Sequence, residues 1–144
     1  MDHLSLKRIV LNDLSQLDSD GGAVLHGLKA SSADYTGFGE VYFSWILPSV
    51  VKAWKRHKKM TMNLCVPVGL VRFVFYDEIT HQFRIESIGE AHYRRLTVPP
   101  NIWFGFQCLA PTKSLVCNIA DMEHDQNEVE RADVNKIIFD WKST

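Results

Sequence analysis

The sequence predicts an all-β protein built from mostly antiparallel strands. Short runs rich in β-branched and aromatic residues recur along the chain, and turn residues separate them. Helix signals are sparse. No internal repeat, low-complexity tract or linker interrupts the 144 residues, a length that fits a single domain. This pattern alone leaves a jelly roll and an immunoglobulin-like sandwich equally open.

Taken in order, Asn12–Leu17 reads as one short helical turn, and Asp20-Gly-Gly22 marks a turn before a strand over Ala23–Lys29. Strands follow at Glu40–Leu47, Met62–Val68, Leu70–Asp77, Phe83–Gly89, Arg94–Val98, Ile102–Cys108 and Ser114–Ala120. Pro67 and Gly69 make a tight connection between the second and third of these, and Pro67 marks an edge or a bulge because it cannot donate to a ladder. Pro99-Pro100-Asn101 stiffens the entry to the Ile102 strand. Asn127–Arg131 reads as a second helical turn, ahead of the C-terminal segment Ile137–Trp141.

The strand Glu40–Leu47 alternates sharply. A period of two sends Glu40, Tyr42 and Ser44 to one face and Val41, Phe43, Trp45 and Leu47 to the other. The polar set either meets water or lines a wet cavity.

Composition narrows the function classes. With 46% hydrophobic and 23% charged residues and a net charge of −1, the chain has no global basic field for nucleic acid or an acidic membrane. An anionic ligand therefore needs a local cluster of cations. Cys65, Cys108 and Cys117 sit in apolar runs, as buried reduced thiols do, and neither a leader nor a membrane span is apparent, so a cytoplasmic protein is expected.

The most informative stretch is Lys52-Ala-Trp-Lys-Arg-His-Lys-Lys-Met-Thr-Met-Asn-Leu-Cys-Val-Pro-Val-Gly69. It resembles the first signature of the cupin barrel, with Lys55, His57, Met62 and Gly69 at the positions of two histidines, a glutamate and a turn glycine. At the second cupin signature, Phe104 and Cys108 take the histidine and asparagine positions. Only His57 remains of four potential ligands, and one imidazole does not make a Zn or Fe site. Further blocks, Gly22–Lys29, Phe38–Ser44, Val98–Phe106 and Ile137–Trp141, occur in the order of the dTDP-4-dehydrorhamnose 3,5-epimerase-like cupins. They are more loosely similar to the dTDP-sugar 3,4-ketoisomerases.

That resemblance implies a double-stranded β-helix (cupin jelly roll), with an N-terminal arm over about 1–21 and a barrel over about 22–141. It also implies a homodimer, no metal or other cofactor, and a nucleotide-sugar ligand. The implied activity is isomerisation or epimerisation of a nucleotide-linked 4-keto-6-deoxy sugar by proton abstraction next to the ketone. In the epimerases the base is a histidine, and Lys55 stands in its place. The family's catalytic tyrosine also has no counterpart in Asn118–His124. His57, Lys55 and Tyr42 are therefore the catalytic candidates, with His57 and Tyr42 as a proton-transfer pair and Lys55 as enolate stabiliser or, with a lowered pKa, as base. The replaced residues support a competing function, a non-catalytic cupin that binds a nucleotide sugar or another carbohydrate.

The family pattern sends Lys55, His57 and Lys59 inward and Trp54 and Arg56 outward. Lys52 matches a phosphate-binding arginine. His26, Lys29, Glu40, Trp103 and Phe104 complete the ligand-binding candidates, the two aromatic residues as a wall for a base or sugar ring. Asp133, close to the family's histidine-orienting aspartate, either pairs with Lys55 or is idle.

Overall fold

The computed structural model describes residues 5–143. Twelve strands follow a 3₁₀ turn at Ser5–Arg8: β1 Val10–Asp13, β2 Gln16–Ser19, β3 Gly22–Leu25, β4 Glu40–Ile46, β5 Val51–His57 and β6 Met62–Val68. The rest are β7 Leu70–Asp77, β8 Gln82–Gly89, β9 Arg94–Val98, β10 Trp103–Cys108, β11 Ser114–Ala120 and β12 Val129–Arg131. One five-stranded sheet has the order β1-β9-β6-β11-β4 and the other β12-β5-β10-β7-β8, while β2 and β3 form a separate hairpin.

The winding is visible in the pairing. β7 pairs with β8, β6 with β9, β5 with β10 and β4 with β11, all antiparallel. These are nested pairs around the β7–β8 turn, as if one long hairpin had been rolled up so that successive strands change sheet. The result is the double-stranded β-helix that the sequence blocks imply. The two sheets close on a core of Leu64, Val66, Val71, Phe73, Phe75, Leu96, Val98 and their neighbours.

The change of sheet between β6 and β7 happens at Gly69, whose φ is +88°. A Cβ there would stand 2.1 Å from Ser114 Oγ, so the crossing excludes any side chain. Just before it, Cys65 pairs with Cys117 but Val68 pairs with Leu115. The extra residue falls across Val66-Pro67, the bulge that a proline without a ladder donor favours.

Several elements differ from expectation. Asn12–Leu17 is not helical; it spans the end of β1 and the start of β2. The strand expected over Ala23–Lys29 ends at Leu25. Only Gln126–Glu128 is helical in the predicted turn Asn127–Arg131, and the chain then extends into β12. β5 was not among the strands named by pattern, because its cations depress β propensity; pairing with β10 and β12 supplies what local preference lacks.

The C-terminal segment lies over the outer face of the second sheet. Ile137, Phe139 and Trp141 pack there with Trp54, Val74, Tyr76, Phe83 and Trp103. β4 behaves inversely to a surface strand. Its polar residues Glu40, Tyr42 and Ser44 are partly buried, while Val41, Phe43, Trp45 and Leu47 are exposed, Phe43 at 61% and Trp45 at 48%. Inward polarity of this kind marks a wet end of the barrel rather than a solvated outer face.

Candidate active site

A bulge organises the site. β10 pairs Phe104 with Lys55 but Gly105 with Ala53, so Trp54 is the extra residue of β5. Without it, Lys52 and Lys55, three apart, would face opposite ways. With it, both share the inner face with Phe104 and Phe106, while Trp54 turns outward and is almost fully buried under the C-terminal segment. Trp54 bonds sideways to the chain after β12, through Trp54 N–H to Ala132 O at 2.9 Å and Ala132 N–H to Trp54 O at 3.0 Å.

β12 places the next cation. Arg131 is the register partner of Lys55, and Glu130 that of Arg56. Arg131 therefore shares the Lys55 face. Arg56, on the outer face, forms ion pairs with Glu130 at 2.9 Å and Glu78 at 2.6 Å and lies over the Trp103 ring. Ser44, Lys52, Lys55, Phe104, Phe106 and Arg131 line a cavity of about 390 Å³ at this end of the barrel.

His57 lies next to this cavity and is only 4% exposed. Its ring stacks on Phe104 with centroids 6.0 Å apart. His57 Nδ1 donates to Glu128 Oε1 at 2.5 Å. The other oxygen, Oε2, accepts from the backbone N–H groups of Lys58 at 3.1 Å, Lys59 at 3.1 Å and Met60 at 3.3 Å. Among the described residues, His57 Nε2 has no hydrogen-bond partner.

The charge states follow. Burial alone would raise the Glu128 pKa, but the bonds from His57, Lys59 and Met60 hold it below the usual carboxylate range. Burial pushes the His57 pKa below its ordinary value, with Lys55 and Arg131 adding to the effect and Glu128 opposing it. The ring is thus neutral at pH 7, its Nδ1–H committed to Glu128 and its Nε2 lone pair available as a base.

Lys55 has its pKa lowered, by burial first and by Arg131 and Lys52 second. No described residue accepts a hydrogen bond from its Nζ. Tyr42, opposite Asn118 in the β4–β11 ladder, accepts a bond from Asn118 Nδ2 at 2.9 Å. Burial raises the Tyr42 pKa, and Glu40 and Glu128 add to it. The phenol keeps its proton and has it free to donate.

Of the candidates, Lys52, Lys55 and Phe104 line this cavity, His57 stacks on Phe104, and Tyr42 shares the inner face of β4 with Ser44, which also lines it. Trp103 is a correction: its neighbour Phe104 faces in, so Trp103 faces out, beside Arg56. Lys59 is a second one, exposed beyond the end of β5 and contributing only its backbone N–H to Glu128. His26 and Lys29 line a different cavity, of about 580 Å³, with Asp34 and Arg95. Glu40 Oε1 accepts from the backbone of His124 and anchors that loop. Asp133 caps the turn at Asn135 and does not pair with Lys55.

Glu128, Arg131 and Asn118 were not foreseen. Glu128 sits in an acidic loop that carries no local mark of burial, and β12 is too short for periodicity to reveal Arg131. Asn118 is legible only through its pairing with Tyr42. No three His, Cys, Asp or Glu side chains among the described residues cluster as a metal site.

No protein-family model matches the chain. The chain is 40% identical to a dTDP sugar isomerase from Desulfovibrio desulfuricans G20, with 96% of this chain and 93% of that one covered and a TM-score of 0.89. The chain belongs to the dTDP-4-dehydrorhamnose 3,5-epimerase-like cupin family. It is also 29% identical over 112 residues to the probable low-salt glycan biosynthesis epimerase Agl13 of Haloferax volcanii, covering 71% of this chain and 72% of that protein. QdtA, a sugar 3,4-ketoisomerase from Thermoanaerobacterium thermosaccharolyticum solved with TDP, shares the fold at 16% identity and a TM-score of 0.74, with 88% of this chain and 90% of that one covered. No helix among the described residues is long and apolar enough to cross a membrane.

The assignment of His57 is directly measurable. NMR titration of the ring should give a pKa below about 6.5 with the proton on Nδ1 in the neutral form. In Glu128→Gln the pKa should fall further, because the charge and hydrogen bond that oppose desolvation are lost. A wild-type value at or above the ordinary one, or no response to the substitution, would contradict the assignment.

Proposed function

We propose that the chain is an isomerase or epimerase of a dTDP-linked 4-keto-6-deoxy sugar. The observation that carries this reading is the neutral His57, held by Glu128 with Nε2 free, next to a cavity lined by the unpartnered Lys55, with the Tyr42 phenol on the inner face of β4. The 40% identical dTDP sugar isomerase supports the substrate class.

The chemistry follows from the groups. A ketone acidifies its neighbouring C–H bonds, and His57 Nε2 removes one of those protons. Lys55 faces the charge that develops on the ketone oxygen, where a cation away from bulk water is most effective. Tyr42 returns a proton to the adjacent carbon or to the opposite face. The diphosphate is met by Lys52 and Arg131, which line the cavity and with Lys55 outnumber the single carboxylate near them, Glu128.

The competing reading, a nucleotide-sugar binder without turnover, draws on one feature: Lys55 replaces the histidine that serves as base elsewhere in the family. Incubation with dTDP-4-keto-6-deoxyglucose in deuterated water separates the two. Turnover places deuterium on carbon next to the ketone, and His57→Asn should slow exchange by roughly 10²–10⁴-fold. Binding without exchange in the wild type supports the binder, and unchanged exchange in His57→Asn removes His57 as base.

The reading includes a homodimer. β4 is the edge of its sheet and exposes Val41, Phe43, Trp45 and Leu47 as one apolar row, which a second copy of the chain would cover. Sedimentation should show a dimer for the wild type and a monomer for Phe43→Asp. A monomeric wild type would overturn this part.

A further inference from the structure

We propose that Lys55 acts covalently, condensing with the ketone of the sugar to form an iminium through which the proton transfer runs. The proposal rests on the reading that the ligand is a 4-keto sugar, and replaces the electrostatic role of Lys55 in that reading with a covalent one.

The geometry separates Lys55 from the other amines of the chain's cationic stretch. Lys52 is exposed and its Nζ donates to Trp45 O at 3.4 Å. Lys58 and Lys59 are exposed beyond the strand. Lys55 is partly buried on the inner face of β5, opposite Phe104 in the ladder, and lines the cavity together with Phe106. No described carboxylate, hydroxyl or carbonyl accepts from its Nζ, and the cations Arg131 and Lys52 act on it more strongly than the one anion near it, Glu128. An amine enclosed by apolar walls and neighbouring positive charge sheds its proton readily and becomes a nucleophile. Lysine alone among the cations here can take that role, since a guanidinium stays protonated.

The placement of His57 points the same way. Lys55 lines the cavity wall and His57 is buried beside it, so the amine is the group that first meets a ligand carbonyl. His57 and Tyr42 then supply the proton transfers that imine chemistry requires. The neutral Nζ adds to the carbonyl carbon, and the resulting carbinolamine takes a proton on oxygen and loses water. The iminium draws electrons from the neighbouring C–H bond, whose proton goes to His57 Nε2, leaving an enamine. A proton returned from Tyr42 to the opposite face of the same carbon restores an iminium, and the proton held by His57 passes through water to the Tyr42 phenolate. One water adds to the iminium, and the carbinolamine collapses to ketone and free amine. One water leaves and one returns, with no change of oxidation state.

Trapping tests this. The full chain is incubated with dTDP-4-keto-6-deoxyglucose and cyanoborohydride, which reduces an iminium to a stable secondary amine, and the adduct is mapped by peptide mass spectrometry. The expected result is one equivalent of ligand on Lys55, suppressed by excess dTDP. Lys55→Arg, which keeps the charge but cannot condense, should bind the ligand yet exchange deuterium about 100-fold more slowly or worse. Deuterium exchange by the wild type with no adduct, adducts spread evenly over surface lysines, or Lys55→Arg exchanging within about tenfold of the wild type would each overturn the covalent role and leave the isomerase reading standing. Neither binding nor exchange in the wild type would remove both. The wild-type trapping result does not depend on whether Lys55→Arg folds.

Discussion

The buried carboxylate of Glu128 is the constraint on which the site depends. It is 2% exposed, and its two oxygens receive His57 Nδ1–H and the backbone N–H groups of Lys58, Lys59 and Met60. A buried charge persists only when paired and hydrogen-bonded in this way, and the buried Met60 N–H left without it would cost about 1–3 kcal/mol. The same carboxylate does three things. It turns the chain at the end of β5, docks the loop before β12, and fixes which nitrogen of His57 carries the proton. Its single charge is outnumbered by those of Lys52, Lys55 and Arg131, so the cavity keeps a positive surplus.

The fold supplies the rest by register. Rolling nested antiparallel pairs into two sheets leaves an apolar interior and an end where polar side chains accumulate. At that end β4 turns Tyr42 and Ser44 inward, β11 opposes Tyr42 with Asn118, and β12 opposes Lys55 with Arg131. The Trp54 bulge is the one irregularity that the site requires, since it puts Lys52 and Lys55 on one face. Gly105, opposite the bulge, has no room for a side chain: a Cβ would stand 2.6 Å from Ala53 Cβ.

What was legible in the sequence divides along physical lines. Most strands of the barrel could be read because apolar alternation and turn residues are local signals, and the Pro67 bulge and the Gly69 crossing were readable from single residues. β5 was not, since its cations mask its pairing. Lys55 and His57 were found through a resemblance of motif, and their inward direction through the family's alternation. Trp103 went the wrong way because two adjacent aromatic residues cannot share a face, and only the ladder says which one points in. Glu128 and Arg131 were invisible for a different reason. Their roles arise from contacts with residues some seventy positions away in the chain, in a loop whose composition reads as solvated. His26 and Lys29 belong to a motif block that this chain folds around another cavity.

On the proposed chemistry the reacting centre lies where Lys55 and His57 meet, at the cavity walled by Phe104 and Phe106. The most direct test is a crystal structure of His57→Asn with dTDP-4-keto-6-deoxyglucose bound. The keto carbon should lie beside Lys55 Nζ, the diphosphate between Lys52 and Arg131, and a carbon next to the ketone within about 3.5 Å of the residue 57 side chain. A sugar seated instead in the cavity of Arg95 and Lys29, or with its ketone turned away from residues 55 and 57, would contradict it.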